Sequence, residues 1–410
     1  MARARSLAIA LLLGAIPGQP SPAVEGPAVP PLEVRFQPSG FVYLWENNGE
    51  GTPRELYTAV LQNVAIVNRS EQAAALDEVA IEALRGDEVV QSVIVGAEAL
   101  DDAAVRFHAL ERQQALETYD FHFQLSRYLA GVPLAGSRNL KPGQAIVVTS
   151  RALLFQSVPD TVRVSAVGRG EGDTFVSGSG AVRVVRHKSK NEYGLPVRGR
   201  WLVAAAPSLH GHHRWASNQE FAVDLVRIGD GGLSHRDDGS KLSQYYAYGE
   251  SVVASADGKV VAASDGMPDL DSSLRQPGET DRQHFARALE MQNKLLAKGF
   301  GAAMGNHVIL SHANGEFSSY LHLKNGSVGV KVGDTVKRGR TIGAVGNSGH
   351  STEPHLLFHL SDGADLGYAR AVPVEFDDIR LWPAADASVR HLQSGQFVET
   401  VATAEPSPTE

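Results

Sequence analysis

Cysteine is absent from all 410 residues. Its absence excludes a disulfide framework and a lipid-attachment thiol, so stability must come from packed cores. A chain of this length can build them, as two domains. Long apolar runs are scarce as well: beyond Leu7–Ile16, no stretch approaches the roughly 20 apolar residues a membrane helix needs. Nor is there a basic stripe. The 38 Lys and Arg stand against 46 Asp and Glu, for a formal net charge of −8 with 20% charged residues. That balance argues against nucleic acid or anionic lipid as the main partner and is compatible with an extracytoplasmic polar polymer.

What is present begins at the first residues. Arg3 and Arg5, the run Leu7–Ile16 and the small residues around Ser21-Pro22-Ala23 have the layout of a secretory signal peptide, expected to occupy residues 1–23 and to leave a soluble periplasmic or extracellular protein. An uncleaved anchor is the alternative.

From Leu32 to about Val203, short alternating runs such as Thr58–Val67 and Gln144–Val148 are separated by turn clusters. This predicts a β-sandwich of roughly immunoglobulin size over residues 24–200. One amphipathic helix interrupts it, from Leu100 to Tyr119, with Ala104, Phe107, Leu110 and Leu116 on its apolar face. Residues 201–382 read as hairpin after hairpin, with an Asp257-Gly258 turn, an Asn314-Gly315 turn and recurrent glycines, and predict an antiparallel β domain. An insertion between Asp265 and Gly305 carries a capping box, Thr280 with Gln283, and an apolar face of Phe285, Leu289, Leu295 and Leu296. It is read as a surface insertion packed on the sheet in preference to a lid or groove wall. Residues 383–410, small and polar, are expected to form a disordered tail. The fold class is therefore mainly β.

Three elements bear chemistry. Asp224 is the single acid within the apolar strand Phe221–Val226, where a carboxylate needs a metal or cation as partner; a solvated or salt-bridged strand acid is the plainer reading. His322 lies in Phe317–Leu323, where a period of two puts it on the face of Tyr320, opposite Phe317, Ser319, Leu321 and Leu323. His355, Leu357 and His359 alternate, so their side chains share one face, and two histidines on one strand face hint at a metal.

Gly305–Gly315, Tyr320-Leu321-His322-Leu323, Val330–Gly339, Ile342–Gly349 and Ser351–Phe358, taken in order, resemble the lysostaphin-type, LytM-like zinc endopeptidases that cut peptide cross-links in bacterial cell walls. The resemblance covers about residues 200–380 and implies the duplicated hybrid motif fold. In that family an early His, an Asp and the second His of an HxH motif hold Zn2+, while the first HxH histidine and the YxH histidine flank the attacking water. Three ligands with an open fourth position suit a hydrolytic zinc. Carried over residue by residue, the resemblance implies Asp224 as a metal ligand and His322 and His355 as catalytic residues. The second HxH position is Leu357, which cannot ligate a metal. For the first ligand, His212 in Gly211-His212-His213-Arg214 is preferred, with His213 second and Glu220, four residues before Asp224, a further candidate. His359 cannot simply replace position 357: at ~3.3 Å per residue its Cα lies ~6.6 Å further along the strand, whereas zinc needs its nitrogen within ~2.1 Å. His350 is a weaker substitute.

The expectation is an exported peptidase-like protein acting on peptidoglycan cross-links or related peptides, with zinc binding impaired at Leu357. The alternative is a non-catalytic module on the same fold that binds cell-wall peptide or activates another hydrolase. A lipoyl- or biotinyl-carrier reading, suggested by Val332–Gly339, leaves the histidines unexplained.

Overall fold

The computed structural model describes residues 30–46, 56–189, 191–382 and 391–401; the expected signal peptide, 1–23, lies outside them. The chain is mainly β. In its first part, the strands Leu32–Gln37, Trp45–Glu46, Tyr57–Asn68 and Ala145–Phe155 form one sheet, and Phe41–Tyr43, Ala74–Arg85, Glu88–Gly96, Asn139–Leu140, Thr161–Arg169 and Phe175–Val185 form a second. A shared core draws Leu61, Val64 and Ile146 from the first sheet and Val79, Ile81 and Val164 from the second. Alternation buries one face of strands such as Thr161–Arg169, whereas Tyr57–Asn68 is buried throughout, its second face packing Ala65 and Val67 beside Phe107 and Leu116.

The helix runs from Ala97 to Arg112 and buries Leu100, Ala104 and Phe107. It stops short of the predicted Tyr119 because Gln114 adopts a left-handed backbone, φ 56°. Short helical turns follow, Ala115–Thr118, Asp120–Phe123 and Leu125–Tyr128. Leu116 from the first of them is buried beside Phe107.

The second part is built on a ten-stranded sheet. Its spatial order is Thr335–Val336, Gly258–Ser264, Asn306–Ser311, Phe317–Leu323, Leu356–Ser361, Val223–Val226, Arg200–Ala205, Phe397–Thr400 and Ile379–Trp382, with Ala371–Val372 added beside Leu356–Ser361. The expected disordered tail is corrected here. Phe397–Thr400 pairs antiparallel with both Arg200–Ala205 and Ile379–Trp382, and Val398 is wholly buried; main-chain pairing on two sides and one buried valine suffice to hold a short strand that composition alone reads as tail. Residues 383–390 and 402–410 of that segment lie outside the described residues. Tyr43 and Trp45, from the first part of the chain, pack in the same core as Trp201, Phe221, Tyr320 and Phe358. Among the described residues no helix is long and apolar enough to cross a membrane.

Candidate functional site

The site lies on the face of the ten-stranded sheet turned away from its main core. Asp224 and Leu357 are directly paired across neighbouring strands, as are Leu321 and Leu357. Above Asp224 sits the turn His212–Trp215, a single 3₁₀ turn. It brings His213 Nε2 to 3.0 Å from both carboxylate oxygens of Asp224 and His212 Nε2 to 4.0 Å. The two imidazoles lie 3.9 Å apart, and one donor atom from each of His212, His213 and Asp224 falls within 4.8 Å of the others. Two imidazoles and a carboxylate form a donor set that zinc accepts. The sequence reading puts His212 ahead of His213, but the structure gives the closer contact to His213, which is buried, while the His212 side chain is 74% exposed. Glu220 is removed as a candidate because it is buried against the Arg214 guanidinium.

Burial alone disfavours charge on both members of the His213–Asp224 pair, but their mutual attraction outweighs it. The Asp224 carboxyl is held well below the usual carboxylate range and the His213 pKa is raised.

Across the floor, His322 and His355 have ring centroids 4.9 Å apart. His322 Nδ1 donates to the Ser348 carbonyl at 2.9 Å and His355 Nδ1 donates to the Glu353 carbonyl at 2.8 Å. With Nδ1–H committed to a carbonyl, Nε2 is left as the basic nitrogen of each ring. Burial, and then the neighbouring His355, lowers the His322 pKa to about 3, so this imidazole is neutral at pH 7.

His322 does not stay on the Tyr320 face, as the strict period of two predicts. Asn306 pairs with Leu323 but Val308 with Tyr320, which leaves one extra residue in Phe317–Leu323. His322 takes φ 62° at this bulge. Leu323 thereby rejoins Tyr320 in the main core, and the imidazole turns to meet His355.

A cleft of about 530 Å³ contains all these groups. His350 also lines it. His359 does not: it is 1% exposed, opposite Ser319, and its Nδ1 has no partner. Leu357, 3% exposed, is packed with Ala222, Leu296, Ala303, Met304 and Leu321. The helix Asp281–Leu296 begins with the predicted capping box at Thr280 and Gln283. It lines the cleft with Phe285, Leu289 and Leu296, so it is a groove wall and the preferred reading as a plain surface insertion is corrected. Sequence reasoning also missed Phe121, which reaches the same cleft from the first part of the chain. No local signal marks Phe121; the exposed i, i+4 spacing of Phe285 and Leu289 is one that could have been used for the wall.

Residues 292–367 match Peptidase family M23. This span includes His322, His355 and Leu357, and leaves His212, His213 and Asp224 outside. Among curated relatives, the peptidoglycan DD-endopeptidase ShyA of Vibrio cholerae is 45% identical over 56 residues, 14% of this chain and 13% of the relative. The cell division protein DipM of Caulobacter vibrioides is 26% identical over 174 residues, 40% of this chain and 22% of the relative. The chain thus spans less than a quarter of either relative's length. Of solved structures, the lysostaphin catalytic domain from Staphylococcus simulans is 20% identical, with a TM-score of 0.23 over 42% of this chain and 88% of that one. A zinc-containing peptidase from Vibrio cholerae is 14% identical, with a TM-score of 0.22 over 80% and 83%. Residues 292–367 thus match peptidase family M23, the lysostaphin-type family that the motifs of this stretch resemble.

Proposed function

We propose that this chain is an exported, lysostaphin-type peptidase-like protein that acts on peptidoglycan cross-links or related peptides through a metal centre weakened at Leu357. The observation that carries the reading is the convergence of two groups on one cleft: His212, His213 and Asp224 on one side, and the His322–His355 pair on the other. The first group is a donor set for zinc, with His213 and Asp224 as its tighter members. Bound there, zinc would polarise a peptide carbonyl and acidify water. His322 and His355, each with a basic Nε2, are placed to orient water and to hold a developing oxyanion. Peptidoglycan endopeptidases among the relatives support the substrate class and the exported location. Leu357 supports the weakening: the residue opposite Asp224 contributes no donor and is sealed in an apolar cluster.

The test is zinc stoichiometry by elemental analysis after dialysis against a weak chelator, for the wild type and Leu357→His, with release of soluble fragments from purified peptidoglycan sacculi measured on both. Substoichiometric zinc in the wild type and about one equivalent in the variant are expected, with slow release by the wild type and faster release by the variant. A full equivalent in the wild type would overturn the weakening, because His212, His213 and Asp224 would then suffice. Zinc-loaded protein that binds sacculi without releasing fragments would establish the non-catalytic binding module, which the sealed Leu357 specifically favours.

A further inference from the structure

The chemistry of the cleft walls does not match its polar floor. Phe121, Phe285, Leu289, Leu296, Phe300 and Met304 line the cleft, and Phe121, Leu296, Phe300 and Met304 pack in one apolar cluster. Phe285 is 70% exposed and Leu289 42% exposed, four residues apart on one helix and both bordering the cleft. The wall is held in place at its far end: the Phe121 and Phe300 rings lie 4.4 Å apart, and the Tyr119 hydroxyl bonds to the Asn293 side chain. Exposed apolar side chains scattered singly carry no meaning, but a contiguous set rimming a polar cluster marks a binding surface. Among the described residues no Lys or Arg lines the cleft, and Asp224, already engaged by His213, is the one acid that does. A ligand dense in carboxylates would meet no Lys or Arg there, and His213 is already engaged by Asp224. A cleft of about 530 Å³ also falls within the ~300–1,000 Å³ of pockets that enclose a small ligand or a few residues of a peptide.

We infer that this cleft takes an uncharged polypeptide segment whose bulky apolar side chain lies against the Phe285–Leu289 wall while the adjoining peptide bond faces His322 and His355. This rests on the peptidase-like reading above and narrows its ligand to the related peptides: a peptide with a large apolar residue beside the recognised bond, in preference to one with a small or acidic residue. Phe285 and Leu289 act as specificity determinants, since they touch the ligand side chain and not the reacting bond. The helix Asp281–Leu296 is therefore the element that gives the domain its preference.

The experiment measures binding of three fluorescein-labelled peptides to the full chain by fluorescence anisotropy: Gly-Gly-Phe-Gly-Gly, Gly-Gly-Ala-Gly-Gly and Gly-Gly-Glu-Gly-Gly, each amidated. The wild type is expected to bind the Phe peptide about tenfold or more tighter than the other two, the size of effect that burying a phenyl ring gives. The double variant Phe285→Ser/Leu289→Ser should bring the Phe and Ala peptides within about twofold, and Phe285→Leu, which keeps the wall apolar, should retain most of the preference. Circular dichroism melts show that each variant is folded; both positions are exposed, so the wild-type transition is expected. Equal binding of all three peptides, preference for Glu, or a Phe preference that survives the double variant would overturn the inference. Sacculus release and zinc content on the same preparations separate the two readings. Fragment release by zinc-loaded wild type without a Phe preference sinks this inference alone. A Phe preference with neither zinc nor release sustains the cleft's ligand class and sinks the metallopeptidase reading.

Discussion

Leu357 shows how one side chain can be legible as a loss and illegible as a gain. The motif around it sets the register, so the resemblance puts an aliphatic residue where the lysostaphin-type family carries a metal ligand. What the residue does instead depends on partners far away in sequence: Leu296, Ala303 and Met304 from the helical insertion, and Ala222 and Leu321 from flanking strands. Truncation should therefore behave as a core deletion. Leu357→Ala is expected to cost about 2–4 kcal/mol in urea unfolding, from lost transfer energy and the residual cavity; a change below about 0.5 kcal/mol, the range of an ordinary surface substitution, would show that the cluster does not depend on it. His322 was misplaced for a related reason. Strict alternation is a good rule for a regular strand, but a bulge inserts one residue and reverses every face after it. Nothing in Tyr320-Leu321-His322-Leu323 announces a positive φ at a histidine, where left-handed backbone is uncommon.

At the scale of elements, the turn His212–Trp215 connects the two parts of the chain. Gln62 Nε2, from the strand Tyr57–Asn68, donates to the Arg214 carbonyl at 3.0 Å, and the Arg214 guanidinium reaches the Thr58 hydroxyl at 3.3 Å. Arg214 is fully buried and paired with Glu220. The first part of the chain thus braces the backbone that presents His212 and His213. Removing one member of a buried ion pair leaves an uncompensated charge, so Glu220→Gln is expected to destabilise by roughly 3–5 kcal/mol, whereas replacing both, Arg214→Met with Glu220→Leu, should restore most of the loss. Guanidinium unfolding of the two singles and the double variant reads this directly; additive losses in the double variant would show that the two residues do not act as a pair. This bracing was unreadable from sequence because its partners lie about 150 residues apart. The helix Asp281–Leu296 was readable, since the Thr280–Gln283 box and its apolar spacing are local. Its role as a wall was not, because that depends on where the sheet places the histidines. The strand Phe397–Thr400 was missed because four residues flanked by polar text carry too little pattern to stand out from a tail.

For the molecule as a whole, the contacts between the two parts are too many and too buried to act as a hinge. Trp45 stacks near Phe221 at 5.5 Å, Arg370 lies 4.2 Å over Phe41 and 4.5 Å over Tyr43, and Gln37, Asn63, Gln124 and Ser217 form a buried hydrogen-bonded network. The connecting segment is fastened through Glu316, whose carboxylate accepts from Ser189, Asn191 and Tyr193 and bonds to His187 at 2.9 Å. Burial opposes its charge, but these hydrogen bonds prevail and lower its pKa from 4.5 to about 2. A carboxyl with a depressed folded-state pKa stabilises the fold fully above its unfolded value, and that contribution is lost as pH falls through the folded value. For Glu316 the window runs from about 4.5 down to about 2, and at ~1.4 kcal/mol per pH unit the contribution is on the order of 3 kcal/mol. Urea unfolding at pH 7, followed by tryptophan fluorescence and far-ultraviolet circular dichroism, should give coincident single transitions, since Trp45 and Trp201 share one core. Repeated between pH 5 and pH 2.5, wild-type stability should fall more steeply than that of Glu316→Gln, which lacks the titrating group. Parallel pH slopes for the two proteins would mean that Glu316 is not the tie, and separated transitions at pH 7 would mean that the two parts fold as independent units.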